Sequence, residues 1–184
     1  SGLDYLLQYP HGCVEQTTSR GLGALMALRV RKNAGLPQSE ERLKAVVQAA
    51  LTQMPGYRHS SGGMSYWKLS SRVSVIGTAY AVEFMGRAQE AGFGVNDALL
   101  QENASYLRDA LVRAEFEGMD RRLSDQTRAY IAVALARAGQ GDAGLNMKLG
   151  PKTPPCFWNW NRKAPCMEPS PRLHAPSPIC HALK

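Results

Sequence analysis

The chain has 184 residues, 44% hydrophobic and 20% charged, which is the balance of a soluble globular domain with a core of its own. Its apolar stretches are far too short to cross a bilayer as a helix, which excludes a membrane-spanning reading. The formal charge of +7 is concentrated in residues 150–184, which carry five Lys/Arg against one Glu; the mixed charges elsewhere exclude a nucleic-acid stripe.

Residues 1–149 read as helix after helix, an all-α pattern with no segment of strand periodicity. A first helix fits Cys13 to about Arg31 and is stopped by Asn33-Ala34-Gly35. A second opens at Pro37-Gln38-Ser39, with Glu40 and Glu41 in its first turn, and places Leu43, Val46, Val47, Ala50 and Leu51 on one face before Met54-Pro55-Gly56 ends it. Tyr57 to Ser74 is the longest irregular connection. It holds Gly62-Gly63-Met64-Ser65-Tyr66-Trp67, whose two aromatics either pack the loop down or line the mouth of a site.

A third helix fits Ile76 to Ala91, stopped by Gly92. A fourth starts at Asn96 or Asp97 and spaces Leu99, Leu100, Asn103, Tyr106, Leu107, Ala110 and Leu111 at helical intervals. A fifth starts at Ser124, runs through Tyr130, Ile131, Ala134 and Leu135, and ends at Ala138-Gly139, where glycine supplies the left-handed position. Helices ending in Ala-Gly recur at 34–35, 91–92 and 138–139, one helical hairpin per interval. Hairpins of this kind cannot bury their apolar faces alone, so they stack into a solenoid, a bundle or a closed ring.

Residues 150–184 break the pattern. They hold eight of the eleven Pro and three of the four Cys, with no helical or strand period, and each Pro blocks helix propagation. Cys156, Cys166, Cys180, His174 and His181 lack the paired spacing of a zinc site, and no metal or cofactor is expected anywhere in the chain. The expected organisation is therefore a helical domain over 1–149 and a disordered or non-native tail over 150–184. The chain also opens on Ser1 without an initiator Met or a signal-like leader, and it is expected to be a piece of a longer protein.

Chemistry concentrates in Tyr9-Pro10-His11-Gly12-Cys13-Val14-Glu15-Gln16, followed by Thr17-Thr18-Ser19. Pro10 and Gly12 shape a tight turn, and a helix starts at once, so Cys13 falls in a first turn whose unpaired N–H groups and positive dipole end favour a thiolate. Gln16, at i+3, shares its helix face. A thiol beside a carboxamide is acylated by it with loss of ammonia, giving an internal thioester between Cys13 and Gln16. Alternative readings are a buried structural thiol at Cys13, a helix-stabilising acid at Glu15, and His11 as a general base in a Cys–His acyl transferase.

The run Gly-Cys-Val-Glu-Gln after Tyr-Pro-His resembles the thioester motif of the alpha-2-macroglobulin and complement family, a match strengthened by the Pro-x-Gly lead-in, the helix that follows and the later Gly-Gly-Met-Ser-Tyr-Trp loop, and the Thr-Thr-Ser after the motif makes it most similar to the bacterial members. The resemblance covers about residues 2 to 145. It implies part of a thioester domain, an α/α toroid of six hairpins of which this chain supplies roughly half. It implies Cys13 and Gln16 as the cross-link, Gly12, Glu15, His11 and Tyr9 as supporting residues, and Tyr5, Tyr9, Tyr66 and Trp67 as an apolar collar.

The implied activity is not enzymatic: host or competitor proteases are trapped when cleavage of a bait region exposes the thioester to a lysine amine. Neighbouring domains of a full-length bacterial protein supply the main shield, and the location is periplasmic or cell-envelope. Relatives that esterify hydroxyls use a later His, and the corresponding stretch near Asp125-Gln126 has none, which favours amines. Two other classes stand beside this one: a helical-hairpin interaction module without thioester chemistry, and a zinc enzyme of similar toroid architecture, to which residues 1–149 offer only Cys13, His11 and His59 beyond carboxylates.

Overall fold

The computed structural model describes residues 12–34, 39–113, 115–116 and 119–141. The chain divides into a unit of residues 1–153 and a unit of residues 154–184, and the second lies wholly outside the described residues.

Among the described residues five helices carry the fold, and each begins or ends on a local signal. Helix α1 spans Val14–Ala34. Helix α2 spans Glu40–Gln53, with Ser39 as its cap: the Ser39 hydroxyl accepts from the Arg42 N–H at 3.2 Å, and Glu40 and Glu41 sit at the positive end of the dipole. The α-helix ends at Met54-Pro55-Gly56 as the sequence suggests, but the chain does not leave helical geometry there. The chain continues into a 3-10 turn over Met54–Tyr57, because a proline in the first positions of a helical turn gives up an N–H that has no partner there. That extra turn carries Tyr57 inward, fully buried.

Helix α3 spans Val75–Glu90 under a Ser74 cap, α4 spans Asp97–Arg113, and α5 spans Asp125–Arg137 under a Ser124 cap. Asn96 caps α4, its Oδ1 accepting from the Leu99 N–H at 3.1 Å. Gly92 and Gly139 take φ of +84° and +68° after α3 and α5, the left-handed stops expected from their positions.

Helix α3 is the centre of the packing and touches α1, α4 and α5, while α1 lies mainly on α2. Eleven of its 16 residues are buried, so it is apolar nearly all round rather than on one stripe. Two glycines let its neighbours come close. A Cβ on Gly21 of α1 would overlap the Phe84 ring of α3, and one on Gly86 of α3 would lie 2.6 Å from the Ala138 Cα after α5. One charged residue, Glu83, is buried in this helix; it accepts from Arg87 at 3.0 Å, from the Tyr130 hydroxyl at 2.9 Å and from Arg137. Burial alone would raise this carboxyl, but the hydrogen bonds of Arg87 and Tyr130 and the charges of Arg137 and Arg87 outweigh it and hold it below the usual range.

The fold is all-α, yet the expectation of no strand is corrected in detail. Strands β1 (Met64–Ser65) and β2 (Val73–Ser74) form an antiparallel ribbon with Met64 opposite Ser74 and Ser65 opposite Val73. A second ribbon pairs β3 (Glu115–Phe116) with β4 (Met119–Arg122). Strands this short cannot display a period-two pattern, which is why periodicity passes over them. The first ribbon matters for the site, because it pins the Gly-Gly-Met-Ser-Tyr-Trp segment to the start of α3: the Met64 N–H donates to the Thr78 hydroxyl at 2.8 Å, and that hydroxyl donates to the Ser74 carbonyl at 2.6 Å.

Candidate functional site

The site is the N-terminus of α1 and what surrounds it. Cys13 stands one position earlier than a first-turn residue: its carbonyl accepts the first intrahelical bond, from the Thr17 N–H at 3.0 Å, which makes it the N-cap. Gln16 is then the third residue of the helix. Its carboxamide folds back so that the Cys13 N–H donates to Gln16 Oε1 at 3.1 Å. This is the return half of a capping box, in which the third residue's side chain satisfies the backbone N–H of the cap. The cysteine is 2% exposed and in no disulfide, whereas Gln16 is exposed. The hydrogen bond therefore runs from the backbone of a buried cysteine to a carboxamide at the surface.

Gly12 leaves room for that fold-back. A Cβ there would lie 3.0 Å from Gln16 Cβ and 3.2 Å from Oε1, so any larger residue crowds the returning side chain. Val14, fully buried, is held at two points: its N–H donates to the Tyr66 carbonyl at 3.0 Å, and its side chain lies against Gly77 at the start of α3.

Tyr66 directly follows β1, which brings its backbone carbonyl to the start of α1. Hydrogen bonding to Cys13, the charge of Cys13 and then that of Glu15 push this phenol up to about 12. Tyr66 and Trp67 pack edge to face, with ring centroids 5.5 Å apart and planes at 78°, and both remain exposed.

Two side chains that the sequence did not single out complete the arrangement. The Tyr57 hydroxyl donates to the Gly12 carbonyl at 2.7 Å and lies 2.8 Å from the Thr17 hydroxyl, and the Lys68 ammonium sits 5.4 Å from the centre of the Tyr57 ring. Tyr57 is 45 residues from Gly12, so no local spacing announces the contact.

Tyr5, Tyr9 and His11 lie outside the described residues, as do Cys156, Cys166, Cys180, His174 and His181. His59 is held within its own loop: Nδ1 lies 2.8 Å from the Ser61 hydroxyl and Nε2 lies 3.2 Å from the Ser71 carbonyl. Among the described residues no three of His, Cys, Asp and Glu gather as metal ligands, and no helix is long and apolar enough to cross a membrane.

Comparison with known proteins follows the same residues. The A-macroglobulin TED domain model matches residues 1–141. Alpha-2-macroglobulin of Xylella fastidiosa is 31% identical over 152 residues, covering 78% of this chain and 9% of that protein. The protein of the same name from Thermotoga maritima is 32% identical over 106 residues, covering 58% of this chain and 6% of that protein. Among solved structures, Salmonella alpha-2-macroglobulin reacted with methylamine superposes with a TM-score of 0.64 at 28% identity, over 80% of this chain and 10% of that one. The chain thus spans less than a tenth of the length of the curated relatives it matches. By the family model, the motif and the fold together, the chain belongs to the A-macroglobulin TED domain family.

Proposed function

We propose that Cys13 and Gln16 form an internal thioester, and that the domain uses it to acylate amines of an attacking protease as part of a longer, multidomain protein of the bacterial periplasm or cell envelope. The observation that carries the reading is the Gln16 carboxamide folded onto the Cys13 backbone at 3.1 Å, beside a buried thiol on a helix N-terminus. The Salmonella relative described as reacted with methylamine supports it from outside the chain.

In formation, the Cys13 sulfur attacks Gln16 Cδ; the C–S bond forms, the C–N bond breaks, and the amide nitrogen leaves as ammonia with the thiol proton. In use, an amine nitrogen attacks the same carbon, the C–S bond breaks, and one amine proton balances the released Cys13 thiolate. The partner is then attached to Gln16 by an amide. A thioester carbonyl lacks the resonance of an amide and is discharged by water, so exclusion of water belongs to the function. Tyr66 and Trp67 form part of the collar, with Tyr5, Tyr9 and neighbouring domains, and Gly12, Glu15 and His11 support the turn. The helical hairpins form part of an α/α toroid, and residues 150–184 lie outside the functional domain.

The test is made on the intact protein that carries this domain. It should be lighter than its sequence mass by one ammonia and show no free thiol at Cys13; methylamine should release that thiol and leave Gln16 as its methylamide, and Cys13→Ala should abolish both the deficit and covalent capture of a protease. Freshly prepared protein with unmodified Gln16 and a constantly free Cys13 would leave a helical interaction module as the better account.

A further inference from the structure

The peptide unit between Gly12 and Cys13 is gripped at both ends. Its carbonyl accepts from the Tyr57 hydroxyl at 2.7 Å, and its N–H donates to Gln16 Oε1 at 3.1 Å. Because the Tyr57 proton is committed to Gly12, the Thr17 hydroxyl at 2.8 Å must be the donor to the Tyr57 oxygen. A single directed chain results, from the Thr17 O–H to the Tyr57 O–H, across the Gly12–Cys13 peptide, to the Gln16 carbonyl.

We infer that Tyr57 is a positioning residue that makes the Cys13 backbone N–H the oxyanion donor for the Gln16 acyl carbon, an inference that rests on the thioester reading above. Whether Cys13 attacks the carboxamide or an amine attacks the thioester, negative charge collects on Oε1 in the tetrahedral intermediate. A donor already aimed at that oxygen stabilises the charge without reorganisation. The N–H can do this only if its peptide plane is fixed, and a glycine-containing turn does not fix its own plane.

Tyr57 fixes it from the carbonyl end. It is fully buried and cannot swing away, and its hydrogen bond also polarises the peptide, so the N–H at the other end becomes the stronger donor. The 3.1 Å distance to the uncharged carbonyl lies at the long end of the useful range, and it shortens as charge develops. Thr17 orients the Tyr57 hydroxyl and stands one hydrogen bond further from the Gln16 carbonyl than Tyr57 does, so its loss is felt less. That separates the two side chains experimentally.

The experiment compares Tyr57→Phe and Thr17→Val with the parent in the intact protein. The readouts are the mass deficit, the second-order rate of methylamine attack and the isotope-edited infrared stretch of a 13C-labelled Gln16 carbonyl in the intact thioester. Tyr57→Phe keeps the ring and should retain the melting transition. It should slow methylamine attack by about tenfold to a hundredfold, less than outright deletion of an oxyanion donor, and move the carbonyl stretch upward as its hydrogen bond weakens. Thr17→Val should slow attack by no more than about threefold, the loss of one neutral orienting hydrogen bond. An unshifted carbonyl stretch with a parental rate in Tyr57→Phe would overturn the inference while leaving the thioester intact. A parent protein with no mass deficit would overturn both.

Discussion

Gly77 stands where the site and the core meet, and replacing it with alanine isolates how tightly Cys13 is seated. A Cβ at Gly77 would lie 2.7 Å from Val14 Cγ1, 2.9 Å from the Ser74 hydroxyl oxygen and 3.2 Å from Ser74 Cβ. Val14 cannot yield easily: it is fully buried and β-branched, so its χ1 is nearly fixed in a helix. Overpacking of this kind costs about 1–3 kcal/mol, and disturbing the Ser74 cap adds about 1 kcal/mol. Against this, alanine is better than glycine inside a helix by about 1 kcal/mol.

The net expectation for Gly77→Ala is a loss of about 1–3 kcal/mol, read from denaturant unfolding of the chain with the slope unchanged. Val14→Ala removes the obstructing methyls, so the double variant should be less destabilised than the sum of the singles by at least about 1 kcal/mol. A Gly77→Ala chain stabilised by the bare helix preference, or strict additivity with Val14→Ala, would refute the claim that α3 wedges Val14 into place.

Three further outcomes follow from the same contacts. Glu83→Gln should cost about 1.5–2 kcal/mol, the lower end for hydrogen bonds to a charged group because Arg137 and Arg87 are partly exposed; since the Glu83 carboxyl is held below its usual range, its contribution is full above the ordinary carboxylate pKa and is lost as pH falls through the lowered value, so the gap between variant and parent, measured by unfolding against pH, should close in acid. The Tyr66 phenol, pushed up from 10.0 to about 12, is favoured protonated by the fold, so its contribution is complete below pH 10.0 and is lost as pH rises towards about 12; Tyr66→Phe should remove one tyrosinate step near 12 from the ultraviolet titration, and Cys13→Ala should bring that step down. A chain ending before Gly150 should keep the far-ultraviolet helical signal per molecule and be no less soluble, and melting of the helices on deletion would place the boundary elsewhere.

What could be read from the sequence is what depends on neighbours in the chain. Ser39, Asn96 and Ser124 each cap a helix because their short side chains reach an N–H two or three residues on, and Gly92 and Gly139 stop one because only glycine enters the left-handed region without cost. The pairing of Cys13 with Gln16 is legible for the same reason, being an i, i+3 relation on one helix start. The 3-10 turn at Met54–Tyr57 was hidden by Pro55, which reads as a stop in a helix interior but is tolerated at a helical start. Tyr57 on Gly12, Tyr66 on Val14 and Arg137 on Glu83 are contacts across 45, 52 and 54 residues, and no spacing rule carries such distances. Glu83 was the least legible of all, an acid within an apolar helix whose compensating cations are brought in by the turn of α3 and by α5.

The uneven burial of the proposed cross-link decides how it must be protected. Cys13 is 2% exposed and Gln16 is exposed, so the scissile C–S bond runs from the interior outward, and its acyl carbon is the end nearer to solvent. On the proposed chemistry an incoming amine approaches over Gln16, while the sulfur departs towards the buried side of α1. Helix packing that buries Cys13 shields the leaving group and not the electrophile. On the proposed chemistry, water must be kept from Gln16 by a cover that can be withdrawn, because a cover built into the core of α1 and α3 would exclude the protease amine as well. A removable cover and a fixed seat for the sulfur are separate requirements, and the described residues meet the second: Val14 is wedged on Gly77, Tyr66 holds its N–H, and Tyr57 holds the peptide before Cys13.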